Sequence, residues 1–376
     1  MVSGVNLTLM IGPVVPIPVP RAALDALTSV QVTNASGEAD SGFELHFTVN
    51  SRSPLQTLFL LSGGALPPIL RCLIIATFNG TPSVLMDGVI LDNQITPGSN
   101  GAPSTLTLKG KDLSAVMDVI DFSGLPYPAM PVFARVLLVL AKYAALGIIP
   151  LVIPPLVTDL PIPTDRIPRH QGKDLGYLRK LAREAGYVFY VDPGPLPGTS
   201  TAYWGPEIKV GVPQPALNID MDAHTNVDTL SFRFDKESKK MPVIFVQEET
   251  TKAPIPIPIP DISPLNPPLG LIPPIPPKLE PLKETARMNP LEAVMYGLAE
   301  ASRTSDCVTG TGTLDVLRYG RILKSRGLVG VRGAGLAFDG LYFVSSVTHK
   351  IKPGEYKQDF ELKRNGLIST VPKVPA

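Results

Sequence analysis

The chain is 376 residues long, enough for two or more cores, because single domains mostly run to roughly 100–200 residues. Its 34 Lys+Arg against 33 Asp+Glu leave a net charge of +1, which excludes a sequence-wide electrostatic footprint for nucleic acid or for an anionic membrane. Proline, at 42 residues, is about twice its usual share of roughly 5%, and much of the excess falls between predicted elements. At the start of the chain the first basic residue is Arg21, and the apolar stretch "MIGPVVPIPVP" is broken by prolines that a secretory h-region would not carry. Synthesis and retention in the cytoplasm are therefore expected.

From Ser29 to Gly110 the apolar residues recur mostly at every second position: "SVQVTN", "FELHFTV", "RCLIIATFNG", "SVLMDGVILDNQI" and "STLTLKG". Gly, Pro, Asn and Ser separate them, which predicts five or six short strands. Closing so small a set into a barrel removes the unpaired edges of an open sheet. Cys72 lies in one of these apolar runs and Cys307 in a polar loop, with no CxxC and no His/Cys spacing for a metal. Both read as free thiols.

At Lys111 the rhythm changes, and "KDLSAVMDVID" is helix-like. "VFARVLLVLAKYAALGIIPLVIP", residues 132–154, has nearly the length of a membrane span. Arg135 and Lys142 fall inside it, each costing roughly 2.5–3.5 kcal/mol near a bilayer centre, and Pro150 breaks its far end. A buried amphipathic helix over residues 133–146, stopped by Gly147, is the better reading. Next, "HQGKDLGYLRKLAREAGYVFYVDPG" places Leu175, Leu178, Leu181 and Ala182 on one helical face, with Gly186 as the stop before the strand "YVFYV".

Strand patterns resume at "STAYWGPEIKVG" and "NVDTLSFRFDKESKKMPVIFVQEE". Residues 253–277, "APIPIPIPDISPLNPPLGLIPPIPP", are expected to form neither helix nor ladder, because proline lacks a donor and fixes φ. An extended surface strap, or a ligand for an SH3-type groove, fits that composition. "NPLEAVMYGLAEASRTSD" restores a helix, with Asn289 as N-cap and Pro290 at its first position. The remainder to Gly366 is again strand-like.

One pattern is repeated. "MDGVILDNQITPGSNGAPSTLTLKG", residues 86–110, and "FDGLYFVSSVTHKIKPGEYKQDFELKRNG", residues 338–366, share a plan. Each has Asp-Gly, an alternating strand, a Pro-Gly loop and a second alternating strand containing Leu-Lys. The chain is read as two copies of one small β-barrel, the second interrupted by insertions.

No catalytic constellation emerges. Asp220, Asp222, His224, Asn226 and Asp228 recur at every second position, but a calcium loop would need Gly where Thr225 stands and Glu where Ser231 stands. A solvated polar strand or turn is expected there. The glycines of "GLVGVRGAG" lack a Gly-Lys-Ser/Thr ending, and no Ser occupies a GxSxG elbow. His46, His170, His224 and His349 stand apart, and Glu184 and Glu300 read as solvated helical charges. No catalytic, cofactor-binding or metal-binding residue is assigned.

With these segments in view, the chain resembles the phage late control protein D family, the tail hub proteins that also form the hub portion of VgrG spikes. "QGKDLGYLRKLAREAGYVFYVDPG", "NGTPSVLMDGVI" and "DGLYFVSSVTHKIKPGEYKQDFELKRNGL" carry the resemblance. It implies an α+β, mainly β chain with a tail-hub architecture. On this reading residues 1–110 form the first β-barrel hub domain and 111–200 an α+β insertion. Residues 201–250 and 307–376 form the second barrel, and 251–306 a Pro-rich strap plus helix. It further implies a non-enzymatic baseplate hub, a homotrimer joining a sixfold tail tube to a threefold spike. Its partners would be spike, tube and other baseplate proteins, with no nucleic acid, no cofactor and no stable membrane insertion. VgrG proteins continue into a further barrel and a needle, whereas this sequence closes on "STVPKVPA", so a hub with its spike on another polypeptide is expected. A cell-wall-degrading tail enzyme and a membrane-anchored scaffold are the alternatives.

Overall fold

Period-two alternation becomes strand nearly everywhere it occurs. The computed structural model describes residues 4–37, 40–49, 69–98, 102–155, 161–164, 167–247, 254–258, 267–274, 278–282 and 290–371. The first unit comprises β1 (Val5–Pro13), β2 (Leu27–Ala35), β3 (Gly42–Val49), β4 (Leu70–Phe78), β5 (Thr81–Thr96) and β6 (Ser104–Asp112). Strand β1 lies outside the span in which sequence alternation predicts strands; its pairing partner β4 holds it over nine residues.

An α+β layer follows, with α1 (Val132–Ala141), β7 (Ile148–Val152), α2 (Asp174–Ala185), β8 (Val188–Pro193) and β9 (Ser200–Gly205). The helix-like stretch after Lys111 is a 3-10 turn, Leu113–Asp118, capped by the Asp112 side chain. Gly147 and Gly186 take left-handed φ of 78° and 70° at the ends of their helical segments, a conformation glycine adopts without a Cβ penalty. Helix α1 buries Val136, Val139 and Leu140 while leaving Leu137 and Leu138 exposed. Among the described residues no helix is long and apolar enough to cross a membrane.

The second unit comprises β10 (Gln214–Asn218), β11 (Val227–Phe234), β16 (Val308–Asp315), β17 (Leu328–Arg332), β18 (Gly340–Lys352) and β19 (Glu355–Arg364). Between β11 and β16 lie β12 (Lys240–Gln247), β13 (Pro254–Pro258), β14 (Gly270–Ile272), β15 (Lys278–Pro281) and α3 (Pro290–Arg303). A short β20 (Leu367–Ser369) ends the series. Part of the proline-rich stretch is a ladder after all, correcting the sequence expectation. In β13 the register sets Ile255 and Ile257 opposite Val246 and Ile244 of β12. In an edge strand alternate residues present N–H to the same side, so the isoleucines can serve the ladder while the prolines face away. Asn289, expected as the cap of α3, lies outside the described residues.

Taken in chain order, the six strands of each unit lie side by side in one sequence: second, third, sixth, fifth, fourth, first. In the first unit this is β2-β3-β6-β5-β4-β1, and in the second β11-β16-β19-β18-β17-β10. Even the irregularities coincide. The β2–β3 register slips at Thr28 and the β11–β16 register at Asp228. The β5–β6 register slips at Leu91 and the β18–β19 register at Ser345. One difference is the outermost pair, antiparallel for β1–β4 and parallel for β10–β17.

The two units are not closed barrels, a second correction. The edge of β18 beyond its β17 pairing is occupied by β2, with Ser346 opposite Ala35 and Ile351 opposite Val30. This junction joins both units into one 13-stranded sheet, whose thirteenth member is the two-residue strand Ile17–Pro18 paired with β1, and among the described residues the end strands of a unit do not pair with each other. A single apolar core runs beneath it, from Val32, Leu45 and Phe47 to Val347, Tyr356 and Phe360, while the α+β layer has its own core around Leu178 and Trp204.

Candidate assembly surfaces

One face of the joined sheet is built from the polar half of every alternation. It carries Thr229, Ser231, Thr311, Thr313, Asp359 and Glu361 from the second unit, and Thr33, Glu44, His46, Thr107 and Lys109 from the first. These side chains satisfy one another across strands: Ser231–Thr311 at 3.0 Å, Thr33–Thr348 at 3.0 Å, Thr313 Oγ1 donating to Asp359 at 2.9 Å and His46–Thr107 at 3.1 Å. Charges are paired as well, with Lys109 3.5 Å from Glu44, Lys357 3.3 Å from Asp228, Lys363 3.8 Å from Glu361, and Lys350 on Asp359. Pairs so exposed add little to stability; what they produce is a broad wall of polar side chains paired across strands.

At the junction of the two units with the α+β layer sits Arg326, itself at φ 61°. Its guanidinium donates to Asp192 of β8, to the Ala35 carbonyl of β2 at 2.5 Å and to Ser41 Oγ at 3.4 Å, and lies 4.1 Å over the Tyr190 ring. A planar, multi-donor cation suits such a three-way contact better than an ammonium would. A second tie is the buried Arg71–Asp87 pair, with contacts of 2.7 and 2.6 Å. Arg71 also donates to the Gly198 carbonyl, and Ser200 Oγ to Asp87. Beside these ties a groove of about 750 Å³ runs past Asn79, Pro82, Pro195, Pro215, Tyr319 and Lys324.

The structure disperses the polar residues that the sequence singles out. Asp222–His224 is a 3-10 turn, and Asp220 and Asp222 have positive φ, so the Asp/His run is not one strand face. Asn226 is spent on the Asn218 amide and the Ala216 carbonyl, and Asp228 on Arg318 and Lys357. Gly333 is needed where the chain passes Ile219, whose carbonyl oxygen would lie 1.9 Å from an added Cβ. Among the described residues no group of three or more His, Cys, Asp or Glu is arranged to hold a metal.

His170 is buried, 3.2 Å from Asp174 and 2.9 Å from the Tyr127 hydroxyl; burial lowers its pKa while Asp174 opposes the shift. Tyr143 and Lys142 also reach Asp174, at 2.6 and 2.5 Å, so the cluster is a polar network within the α+β layer. Sequence patterning gives no hint of this network, because its members are spread over three segments. His349 lies in the main core against Tyr356 and Gln358, and burial pushes its pKa down to about 3. Both thiols are buried, including Cys307, which heads β16 rather than sitting in an open loop; burial raises its pKa to about 11. A thiol so shifted is a poor nucleophile near neutral pH.

The fold is thus a mainly β chain of two like units sharing one sheet, with an α+β layer tied across them, and solved phage tail proteins share it. Among solved structures it is similar to the tail protein from Neisseria meningitidis MC58, with a TM-score of 0.64 at 13% identity over 97% of this chain and 98% of that one. The prophage MuSo2 43 kDa tail protein from Shewanella oneidensis gives 0.64 at 14% identity over 96% and 98%. The E. coli c3393 protein, a component of the type VI secretion system, gives 0.54 at 10% identity over 93% and 76%. No protein-family model and no curated protein matches the sequence. At these identities the likeness is one of fold.

Proposed function

We propose that this protein is a structural hub of a phage tail or contractile injection system, a homotrimer that joins a sixfold tail tube to a threefold spike. The observation that carries this reading is the duplication: two units with the same strand order and register slips at the same places. Three copies of a chain with two equivalent units offer six near-equivalent seats, where a single unit per chain would offer three. Its division would be residues 1–110 and 201–250 with 307–376 as the hub units, 111–200 as the α+β insertion and 251–306 as the strap and helix.

The partners would be the spike, the tube and neighbouring baseplate proteins, in a particle assembled after synthesis in the cytoplasm. The neighbours support this: two are tail proteins, and further neighbours of this fold, with TM-scores of 0.55 to 0.57, are PdpA–VgrG complexes, two of them from Francisella. The role requires no reaction, in keeping with side chains that are spent on one another. The test is a mass measurement of the purified protein alone and with its spike. A trimer is expected, and a strict monomer even with the spike present would overturn the reading; peptidoglycan cleavage by the isolated chain would overturn its non-enzymatic part.

A further inference from the structure

The groove beside the Arg326 and Arg71 ties has a floor and a rim of different chemistry. Its floor includes His349 of β18 and Asn34 of β2. Register sets His349 opposite Val32 and Asn34 opposite Val347, so the two side chains share one face of the sheet as diagonal neighbours. Gln358 fixes the state of the imidazole. The Leu323 amide donates to Gln358 Oε1 at 2.9 Å, which orients the carboxamide, and Gln358 Nε2 then donates to the Leu323 carbonyl at 2.8 Å and to His349 Nδ1 at 3.2 Å. The Tyr356 hydroxyl, free to rotate, donates to the same nitrogen at 2.8 Å. Nδ1 is thereby an acceptor, and the network assigns the ring proton to Nε2. His349 is only 3% exposed, and its Nε2–H, reached from the groove, meets no acceptor among the described residues. Asn34 donates from Nδ2 to the Leu85 carbonyl at 3.0 Å, and its Oδ1 has no donor among them.

Buried polar groups are nearly all paired in folded proteins, and an unpaired N–H beside an unpaired carbonyl oxygen is the complement of a peptide group. The walls agree with that occupant. Pro82, Pro195, Pro215 and Tyr319 flank the floor, rigid surfaces of the kind that hold an extended chain at small entropic cost. At the rim Arg321 and Lys324 are exposed, and neither side chain reaches a carboxylate among the described residues. Asp192, the acid on the lining, is held by Arg326. The groove therefore keeps a local positive charge in a chain whose net charge is only +1.

We propose that this groove binds an acidic, extended peptide segment of a partner protein, with a main-chain carbonyl accepting from His349 Nε2 and carboxylates lying against Arg321 and Lys324. The site lies within one chain, so it is independent of the ring reading above. A phosphate chain would satisfy the rim alone, whereas a peptide satisfies rim and floor together.

The test is an array of immobilised linear peptides, random in sequence, probed with the full chain. Bound peptides are expected to be rich in Asp and Glu. A soluble, labelled copy of the strongest binder should lose about tenfold or more in affinity to Arg321→Glu with Lys324→Glu, a variant whose circular dichroism melt stays at the parent value, and added salt should weaken binding to the parent. The floor has its own readout. The chain has four histidines, and in isotope-labelled protein His349→Gln assigns the His349 signal by its loss. That signal should report the Nε2–H tautomer and should move when the peptide is added. Failure of every acidic peptide to bind, binding indifferent to the charge reversal, or a His349 signal that the peptide leaves in place overturns the proposal. Equal binding of a single-stranded oligonucleotide of the same charge overturns it too, by making the groove a phosphate seat. None of these outcomes touches the ring, which the mass measurement decides separately.

Discussion

The two units share a backbone plan and fill it with different side chains. In the first, Phe43 of β3 faces Val32 and covers Gly110, where an added Cβ would lie 2.3 Å from the ring. In the second, the position equivalent to Phe43 is Gly310, and the ring comes instead from the facing strand as Phe232, 2.8 Å from where a Cβ of Gly310 would lie. An aromatic ring over a glycine is kept, and the strand that donates it is not. The buried Arg71–Asp87 pair shows the same freedom: register places Leu328 and Leu341 at the equivalent positions. An ion pair in one copy is a leucine pair in the other. Close packing constrains the sum of side chains at a site more tightly than the identity of each.

Breaking the ion pair gives the largest expected effect. Asp87→Ala leaves a buried guanidinium uncompensated and should cost about 3–5 kcal/mol, read as a fall in the urea midpoint. Arg71→Leu with Asp87→Leu, which copies the second unit, should come within about 1 kcal/mol of the parent apart from the lost Gly198 and Ser200 contacts. Were the double variant as unstable as the single, the equivalence of the two sites would fail.

Overpacking sharpens the comparison next. Gly110→Ala presses on Phe43 and on the Val89 carbonyl, both fixed in the core, and should cost about 3 kcal/mol; Gly310→Ala meets a half-buried Phe232 ring that can yield, at about 1 kcal/mol.

Acid should separate the units further. His349 is buried where its equivalent, Ile95, is exposed and apolar. Its pKa falls from 6.5 to about 3, so between those values the unfolded chain takes up a proton that the folded chain refuses. Stability is then lost as pH drops below about 6.5, by up to ~1.4 kcal/mol per pH unit. His349→Gln should flatten that dependence in melts taken from pH 7 to pH 4.5. The smallest effect is expected on the polar face, where Lys109→Ala should change stability by no more than about 0.5 kcal/mol.

The sequence carried the fold class through alternation, and it placed the repeat in the right hairpins. It did not place the repeat in register. The slip falls three residues after Gly88 but five after Gly340, so the Asp-Gly echo is two residues out of step. Asp87 belongs to a buried pair, whereas Asp339 receives the Ala334 amide in a turn. An offset of two keeps each residue on its face, which is why the echo could look sound while the positions differed. The exchange of Phe43 for Phe232 explains why so little else of the duplication is legible, since each strand alone has lost its likeness. Closure into barrels was the wrong expectation because edge strands of one unit can be satisfied by the other, a choice that local patterning does not encode. The tie through Arg326 has no sequence signal either: its partners are more than a hundred residues away.

That arginine has a mechanical consequence. Because one side chain grips β2, β8 and its own loop at once, a load applied to the α+β layer is delivered to both halves of the sheet together rather than peeling one from the other. A rivet of this kind lets a duplicated scaffold behave as a single rigid plate under push or twist.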